Sequence, residues 1–209
     1  MKLYDYAAAP SPRRVTIFLR EKGITVPTAQ VDLRAGEQFS PAFRAVNPDC
    51  TVPVLELDDG TRITDAIAIC RYFEEMQPEP RLMGGSPREK AVIEMHQRQM
   101  ERDGFYAVME AFRNATPAFK IRAIPGADDY AQIPELAERG RARVARFMER
   151  LDAQLAKSRF VAGETFTIAD ITAFLTIDFA RWVKIAVPET CAALRRWQEA
   201  VGQRPSIKG

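Results

Sequence analysis

The order of apolar and polar residues divides the chain into two parts that differ in predicted secondary structure. In the first part, four short runs rich in apolar and β-branched residues are typical of strands: Lys2–Tyr6, Val26–Leu33, Pro53–Leu57 and Arg62–Ile63. Two further segments repeat apolar side chains at helical spacing, Arg13–Lys22 and Asp65–Met76. Gly23 follows the first of them and is well placed to end it. The predicted order is β-α-β followed by β-β-α.

The second part carries helical patterns throughout. Ser86–Glu89 is a capping box with a proline at the first helical position, and the helix that it begins is predicted to reach about Asn114. Pro134–Leu155 is predicted as another long helix. Thr167–Asp170 is a second capping box, and the apolar stretch Ile171–Phe179 after it predicts a helix buried on most sides. The predicted fold class is α+β, with an all-α C-terminal domain.

A change in amino-acid composition and charge marks the predicted domain boundary. Gln77–Pro87 contains three prolines and a Gly-Gly pair, which cannot continue a helix or a central strand. Residues 1–80 carry a net charge of −3 and residues 81–209 a net charge of +5. We therefore expect a first domain over residues 1–78, a linker over 79–86 and a helical domain over 87–209.

Composition then excludes several classes of function. The chain has 30 Lys+Arg against 28 Asp+Glu, far from the basic excess that nucleic-acid binding requires. His96 is the only histidine, which argues against clustered histidine metal sites. Three cysteines without a C-x-x-C pair argue against a disulfide framework. Neither a signal peptide nor an apolar run long enough to span a membrane is present, so we expect a cytoplasmic protein without membrane or nucleic-acid partners.

Four segments, in this order and at these spacings, resemble a known family: Ala9–Val15, Asn47–Leu55, Thr64–Ile69 and Phe166–Asp170. Together they resemble the cytosolic glutathione S-transferases over essentially the whole chain. The first segment is most similar to bacterial members near the disulfide-reductase and nitrogen-regulator branch. The resemblance implies a thioredoxin-like N-terminal domain with glutathione as co-substrate, no metal, and a homodimer formed by the helices near Asp65–Met76 and Pro87–Asn114.

The resemblance also implies a glutathione-binding site in the first domain. Val52-Pro53 matches a Val–cis-Pro bond that presents the backbone of residue 52 to the cysteinyl part of glutathione as an added strand does. From the residues alone, a proline before a strand indicates only an edge strand or a turn. Asp65-Ala66 stands where the family has Glu/Gln-Ser at a helix N-terminus, which suits a carboxylate. Asp65 alone also reads as a helix-start acid that stabilises the dipole. Gln38 is the candidate for the glycyl carboxylate, or else a solvated loop amide.

The catalytic group must hold glutathione as a thiolate, and a hydroxyl after the first strand is suited to this. The family's usual position falls near Ala9, which has no such group. Ser11 is our candidate, although Ser11-Pro12 also has the pattern of an N-cap followed by proline. Tyr6, at the end of the first strand, is the second choice.

The electrophile pocket is predicted on the first long helix. Its candidates are Met100, Gly104, Phe105 and Val108, with ordinary core packing as the competing interpretation. Cys50 is interpreted as a passive thiol and His96 as a helix-surface or core residue.

Three functions agree with this pattern. The leading hypothesis is a glutathione transferase that attacks a small hydrophobic electrophile. The second is a glutathione-dependent disulfide reductase, and the third is a non-catalytic relative that binds glutathione, an alternative that Ala9 and Ala66 leave open.

Overall fold

The computed structural model describes residues 1–208 and divides into two compact units. The first contains Met1–Pro80 together with Ile124–Tyr130, and the second contains the rest of the described chain. Ile124–Tyr130 packs with the first unit, where a Cβ built on Gly126 would lie 3.9 Å from the carbonyl oxygen of Asp49.

The strands of the first unit are β1 (Lys2–Asp5), β2 (Thr28–Gln30), β3 (Val54–Glu56) and β4 (Arg62–Ile63). They form a mixed sheet in the order β2-β1-β3-β4, with β1 parallel to β2 and β3 antiparallel to both β1 and β4. The helices of this unit are α1 (Pro10–Lys22), α2 (Pro41–Val46) and α3 (Ala66–Met76). The predicted thioredoxin-like α+β domain is confirmed, with α2 as an additional element between β2 and β3.

Both ends of α1 are set by local backbone chemistry. The helix ends at Gly23, whose φ of 67° is left-handed and whose N–H bonds to the carbonyls of Leu19 and Arg20. It begins three residues earlier than the apolar spacing predicted, because Pro10 occupies the first turn and Ala9 is the N-cap. Ser11 is therefore not the N-cap, and that alternative interpretation of Ser11-Pro12 is wrong.

A buried ion pair ties the end of α1 to the end of α3. The Nζ of Lys22 lies 2.7 Å from a carboxylate oxygen of Glu74, and both side chains are almost completely buried. The same ammonium donates to the carbonyls of Gln77 at 2.7 Å and Pro80 at 2.9 Å. These contacts fix the chain where it leaves the first unit.

The second unit is helical, as predicted. Its helices are α4 (Pro87–Gln99), α5 (Tyr106–Ala115), α6 (Pro134–Leu155), α7 (Ile168–Ala180), α8 (Ala192–Gly202) and α9 (Pro205–Lys208). The helix predicted to reach Asn114 is interrupted by a π-helical turn, Met100–Phe105. Both predicted capping boxes are present, at Ser86 and Thr167.

The core of the second unit is centred on α7. Nearly every residue of this helix is buried, which confirms the prediction from its apolar sequence. Helices α5 and α6 approach closely at Gly140, where a Cβ would lie 2.6 Å from the backbone nitrogen of Ala111. Within residues 1–208, no helix is both long enough and apolar enough to cross a membrane.

Candidate functional site

The N-terminus of α1 offers a backbone donor at one residue, Ser11. Pro10 and Pro12 have no N–H, and the N–H of Arg13 donates to the carbonyl of Ala9 at 3.2 Å. The N–H of Ser11 forms no hydrogen bond within residues 1–208. Ser11 thus presents both an N–H and a hydroxyl at the positive end of the helix dipole.

The two candidate hydroxyls differ in their surroundings. Ser11 is half-buried, and its Oγ accepts a hydrogen bond from the Nη2 of Arg14 at 2.8 Å. Tyr6 follows β1 and is also half-buried, and its carbonyl accepts the N–H of Ala9 at 2.9 Å. Arg14 was not among the residues that the sequence singled out, although its spacing of three from Ser11 places both on one face of α1.

The start of β3 carries unpaired backbone groups. The Val52–Pro53 bond is cis, as the resemblance implied. Val54, the first residue of β3, pairs with Tyr4 in the antiparallel ladder, and Val52 precedes the strand. Neither the N–H nor the C=O of Val52 forms a hydrogen bond in the described part of the chain. A peptide-like ligand can pair with these two groups as an added strand does.

A short polar loop supports Val52. The Nδ2 of Asn47 donates to the carbonyl of Thr51 at 2.9 Å and to its hydroxyl at 3.0 Å. The Oδ1 of Asn47 accepts the N–H of Asp49 at 3.1 Å. Asn47 is only 1% exposed, so its amide fixes the backbone immediately before residue 52.

The N-terminus of α3 begins with Asp65 and Ala66. Asp65 is the N-cap, and its Oδ1 accepts the N–H of Ile67 at 2.8 Å and that of Ala68 at 2.9 Å. This oxygen of Asp65 therefore caps α3, which agrees with the interpretation of Asp65 as a helix-start acid. The N–H of Ala66 forms no hydrogen bond among residues 1–208, so it remains available for a carboxylate.

Gln38 is buried rather than solvated. It lies in a 3₁₀ turn, Glu37–Phe39, and is 7% exposed, so the alternative interpretation as a solvated loop amide is wrong. Its Oε1 has no hydrogen-bond partner among the described residues. A buried amide oxygen without a protein partner is uncommon in folded proteins, so this oxygen of Gln38 can accept a hydrogen bond from a ligand.

Sheet topology brings these groups to one edge. Because Tyr4 pairs with Val54, the end of β1 and the start of β3 lie side by side. Leu55 pairs with Ile63, so β4 ends at the same edge and leads there into α3. β2 is parallel to β1 and also ends at this edge. The N-termini of α1 and α3 and the backbone of Val52 thus meet at the same edge of the sheet.

The residues predicted for the electrophile pocket are buried in the helical unit. Met100, Phe105 and Val108 have exposed fractions of 4%, 5% and 0%. A Cβ on Gly104 would lie 2.6 Å from the ring of Phe147, so this glycine permits close packing. Their role in a pocket stays a prediction.

An aromatic cluster lies next to Phe105 in the same unit. The ring of Phe179 is 5.8 Å from that of Phe105, 5.5 Å from that of Phe112 and 5.2 Å from that of Trp182. Phe112 also contacts Phe119 and Trp182 at 5.2 and 5.4 Å. Trp182 is 48% exposed, so the cluster reaches solvent through its indole ring.

The remaining candidate groups have structural roles. His96 is half-buried, and burial lowers its pKa below 6.5. Asp170 completes the α7 capping box, and burial raises its pKa to about 6. Cys50 is buried, as are the other cysteines, and none forms a disulfide in the described chain. Residues 1–208 contain no group of three or more His, Cys, Asp or Glu side chains arranged to hold a metal ion.

Comparison with known proteins shows similarity to one protein family over both units. Residues 9–76 match the family model of the glutathione S-transferase N-terminal domain, and residues 98–205 match that of the C-terminal domain. The chain is 40% identical over 210 residues to glutathione S-transferase 2 of Saccharomyces cerevisiae, an alignment that covers 100% of this chain and 88% of the yeast protein.

Solved structures of related proteins also have the fold of this chain. The crystal structure of yeast Gtt2 has a TM-score of 0.91 and 39% identity, covering 100% of this chain and 99% of that one. A glutathione S-transferase domain-containing protein from Marinobacter aquaeolei also has a TM-score of 0.91 and 39% identity, covering 99% of this chain and 100% of that one.

Proposed function

The chain belongs to the glutathione S-transferase family, and from this premise we propose that it holds the glutathione thiol as a thiolate at the N-terminus of α1. The enzyme is a glutathione transferase, and its proposed acceptor is a small hydrophobic electrophile. The observation that carries the mechanism is the pair of donors on Ser11, an N-terminal N–H and a hydroxyl, in a turn where both neighbours are prolines.

Thiolate formation is the step that these donors assist. A free cysteine-type thiol has a pKa of about 8.5, so only a few per cent is ionised at neutral pH. A helix N-terminus and hydrogen bonds to sulfur favour the anion and lower that pKa. The thiol proton leaves to solvent, the sulfur forms a bond to the electrophilic carbon, and the leaving group departs with the electrons of the broken bond. Holding both substrates together supplies the remainder of the rate.

Glutathione is bound along the edge of the sheet. Its cysteinyl backbone pairs with the N–H and C=O of Val52 beside Pro53, and the γ-glutamyl carboxylate accepts the N–H of Ala66. The carboxylate of Asp65 meets the γ-glutamyl ammonium group, and the amide of Gln38 binds the glycyl end. The unused backbone groups and the unpaired oxygen of Gln38 support this assignment.

The electrophile site is assigned to the aromatic cluster and to the π-helical turn, Met100–Phe105, that carries Phe105. Of the predicted residues, Phe105 supports this most directly, since it packs against Phe179 and so adjoins the exposed ring of Trp182. An electron-rich indole suits an electron-poor aromatic electrophile, because rings of opposite polarity stack well. Met100, Gly104 and Val108 are proposed to line the same site, although they are buried and contribute to the core of the helical unit.

The second candidate function, disulfide reduction, would use the same thiolate. Its support is the Pro10-Ser11 segment. The buried state of Cys50, Cys70 and Cys191 means that the attacking thiol would come from glutathione rather than from the protein. Similarity to the disulfide-reductase branch stays a prediction.

A homodimer and a cytoplasmic location complete the proposal. Large apolar side chains are exposed on the helices predicted to form the interface, with Met76 on α3 64% exposed and Met95 on α4 48% exposed. Unpaired cysteines suit a reducing compartment. Sedimentation analysis measures the oligomeric state directly.

The experiment uses the purified full chain with glutathione and chlorodinitrobenzene, and separately with a small mixed disulfide. We expect conjugation. At saturating glutathione, kcat/KM for chlorodinitrobenzene should rise with pH through the pKa of the bound thiol. Ser11→Ala is expected to move this rise to higher pH, whereas the matched variant Tyr6→Phe should not. Measurable glutathione binding without turnover in either assay would identify a non-catalytic relative, and an unchanged Ser11→Ala profile would exclude the hydroxyl.

A fluorescence measurement tests the electrophile site. Trp197 is 3% exposed and bonds to Asp170, so chlorodinitrobenzene is expected to quench mainly Trp182. Trp182→Phe should abolish this quenching and raise KM for the electrophile while leaving KM for glutathione unchanged. Quenching that persists in the variant would place the electrophile elsewhere.

A further inference from the structure

Arg14 is a buried cation one turn of α1 beyond Ser11. Its exposed fraction is 4%, although arginine is almost never fully buried in folded proteins unless a partner holds it. Residues three apart lie on one face of a helix, and here the Nη2 of Arg14 donates to the Oγ of Ser11 at 2.8 Å. The buried guanidinium is therefore joined directly to the hydroxyl at the beginning of α1.

This hydrogen bond has consequences for the direction of the Ser11 proton. A serine hydroxyl has one donor proton and two acceptor lone pairs. Because Arg14 donates to the oxygen, the proton of Ser11 is directed away from the guanidinium and towards another acceptor. Donation from a charged group also polarises the hydroxyl, since linked hydrogen bonds strengthen one another in a low-dielectric site.

We propose that Arg14 is a positioning residue of the transferase reaction, which fixes the Ser11 hydroxyl with its proton directed at the sulfur of glutathione and strengthens that hydrogen bond. The inference rests on the proposed function, in which Ser11 contacts the sulfur. During the step, the thiol proton leaves to solvent, Ser11 keeps its own proton, and Arg14 remains charged throughout.

The charge of Arg14 acts where α1 packs against α3. Cys70 on α3 is fully buried, and burial raises the pKa of its thiol while the positive charge of Arg14 lowers it. The carboxylates of Asp65 and Glu74, also on α3, act on Cys70 in the opposite sense to Arg14. Glu74 is paired with Lys22 at 2.7 Å. At Cys70, the positive charge of Arg14 therefore opposes the carboxylates of α3.

The test is a double-mutant cycle between Arg14→Gln and Ser11→Ala. It measures the pH profile of kcat/KM for chlorodinitrobenzene at saturating glutathione. In the wild-type background, Arg14→Gln is expected to lower kcat/KM at neutral pH about tenfold and to move the rise upward by about one pH unit. KM for glutathione is expected to stay within about twofold, because uniform binding of the tripeptide is not affected. In the Ser11→Ala background, the same substitution should change kcat/KM less than about twofold.

Two further variants control the cycle. Arg14→Lys keeps a cation without the planar fork of donors and should restore part of the pH profile. Arg13→Gln removes a cation from the adjacent residue, which forms no hydrogen bond to Ser11 in the described chain, and should shift the profile much less. Denaturant midpoints for all variants show whether any of them fails to fold, and Arg14→Lys carries the test if Arg14→Gln does.

The outcomes separate the inference from the proposed function. A wild-type enzyme that neither binds nor conjugates glutathione would overturn the proposed function itself. An active wild-type enzyme in which Arg14→Gln has the same effect with and without the Ser11 hydroxyl would overturn only the role of Arg14. An unchanged pH profile for Arg14→Gln would do the same.

Discussion

Replacing Ala66 with serine places a hydroxyl at the N-terminus of α3, and we expect glutathione to bind more tightly as a result. The N–H of Ala66 is unused, whereas those of Ile67 and Ala68 already bond to the Oδ1 of Asp65. A serine at this position would add a second donor beside that N–H, directed at the same γ-glutamyl carboxylate.

The size of the gain follows from the charge of the γ-glutamyl carboxylate. A hydrogen bond to a charged group contributes about 1.5–3 kcal/mol. We take the lower end of this range as the expected gain in affinity. Because Ala66 is 2% exposed, the desolvation of the new hydroxyl lowers the stability of the fold rather than the affinity for glutathione. About 1.5 kcal/mol corresponds to a roughly tenfold lower Kd for glutathione.

Isothermal titration of glutathione into the wild type and the variant measures this change. Ala68→Ser is the matched control, because residue 68 is exposed and its N–H is already bonded to Asp65, so its Kd should not change. Equal affinities for the wild type and Ala66→Ser, with both proteins folded, would show that the γ-glutamyl carboxylate does not bind at the N-terminus of α3.

Two predictions concern stability rather than binding. Burial lowers the pKa of His96, so the unfolded state takes up the proton first as the pH falls, and stability should be lost on acidification below about pH 6.5. His96→Gln should remove this part of the pH dependence, and urea titrations at several pH values compare the two proteins; parallel curves would contradict it. Gly140→Ala should destabilise the protein by about 1–3 kcal/mol, because its Cβ would lie 2.6 Å from the backbone nitrogen of Ala111. Gly202→Ala, whose Cβ would lie 3.6 Å from the ring of Phe174, should be neutral or up to about 1 kcal/mol more stable, and similar urea midpoints for the two variants would refute the packing argument.

Local signals in the sequence predicted those parts of the fold that depend on local chemistry. The left-handed Gly23 and the capping boxes at Ser86 and Thr167 mark helix ends correctly, because each satisfies backbone groups within a few residues. Helix α2 was missed because its six residues, Pro41–Val46, are too few to show a helical period.

Features that depend on contacts between residues far apart in the chain could not be predicted from the local sequence pattern. Burial of Gln38 depends on how its 3₁₀ turn packs within the first unit, and the amide is indistinguishable in sequence from a solvated one. The association of Ile124–Tyr130 with the first unit is likewise a tertiary property. Arg14 has the same limitation, because an arginine on a helix face is ordinarily solvated, and only the fold shows that it is buried against Ser11.

The proposed site depends on which backbone donors remain unused, so it does not require a hydroxyl side chain at Ala9 or Ala66. At α1, the prolines on either side of Ser11 remove the competing N–H groups of the first turn. At α3, the Oδ1 of Asp65 occupies the donors of the second and third positions and leaves that of Ala66. An anion at either helix is therefore directed to a single residue by the backbone alone. Side chains such as the Ser11 hydroxyl then adjust the strength of binding and the pKa of the thiol, which is why the Ala66→Ser and Ser11→Ala substitutions should change affinity and pH profile without abolishing the site.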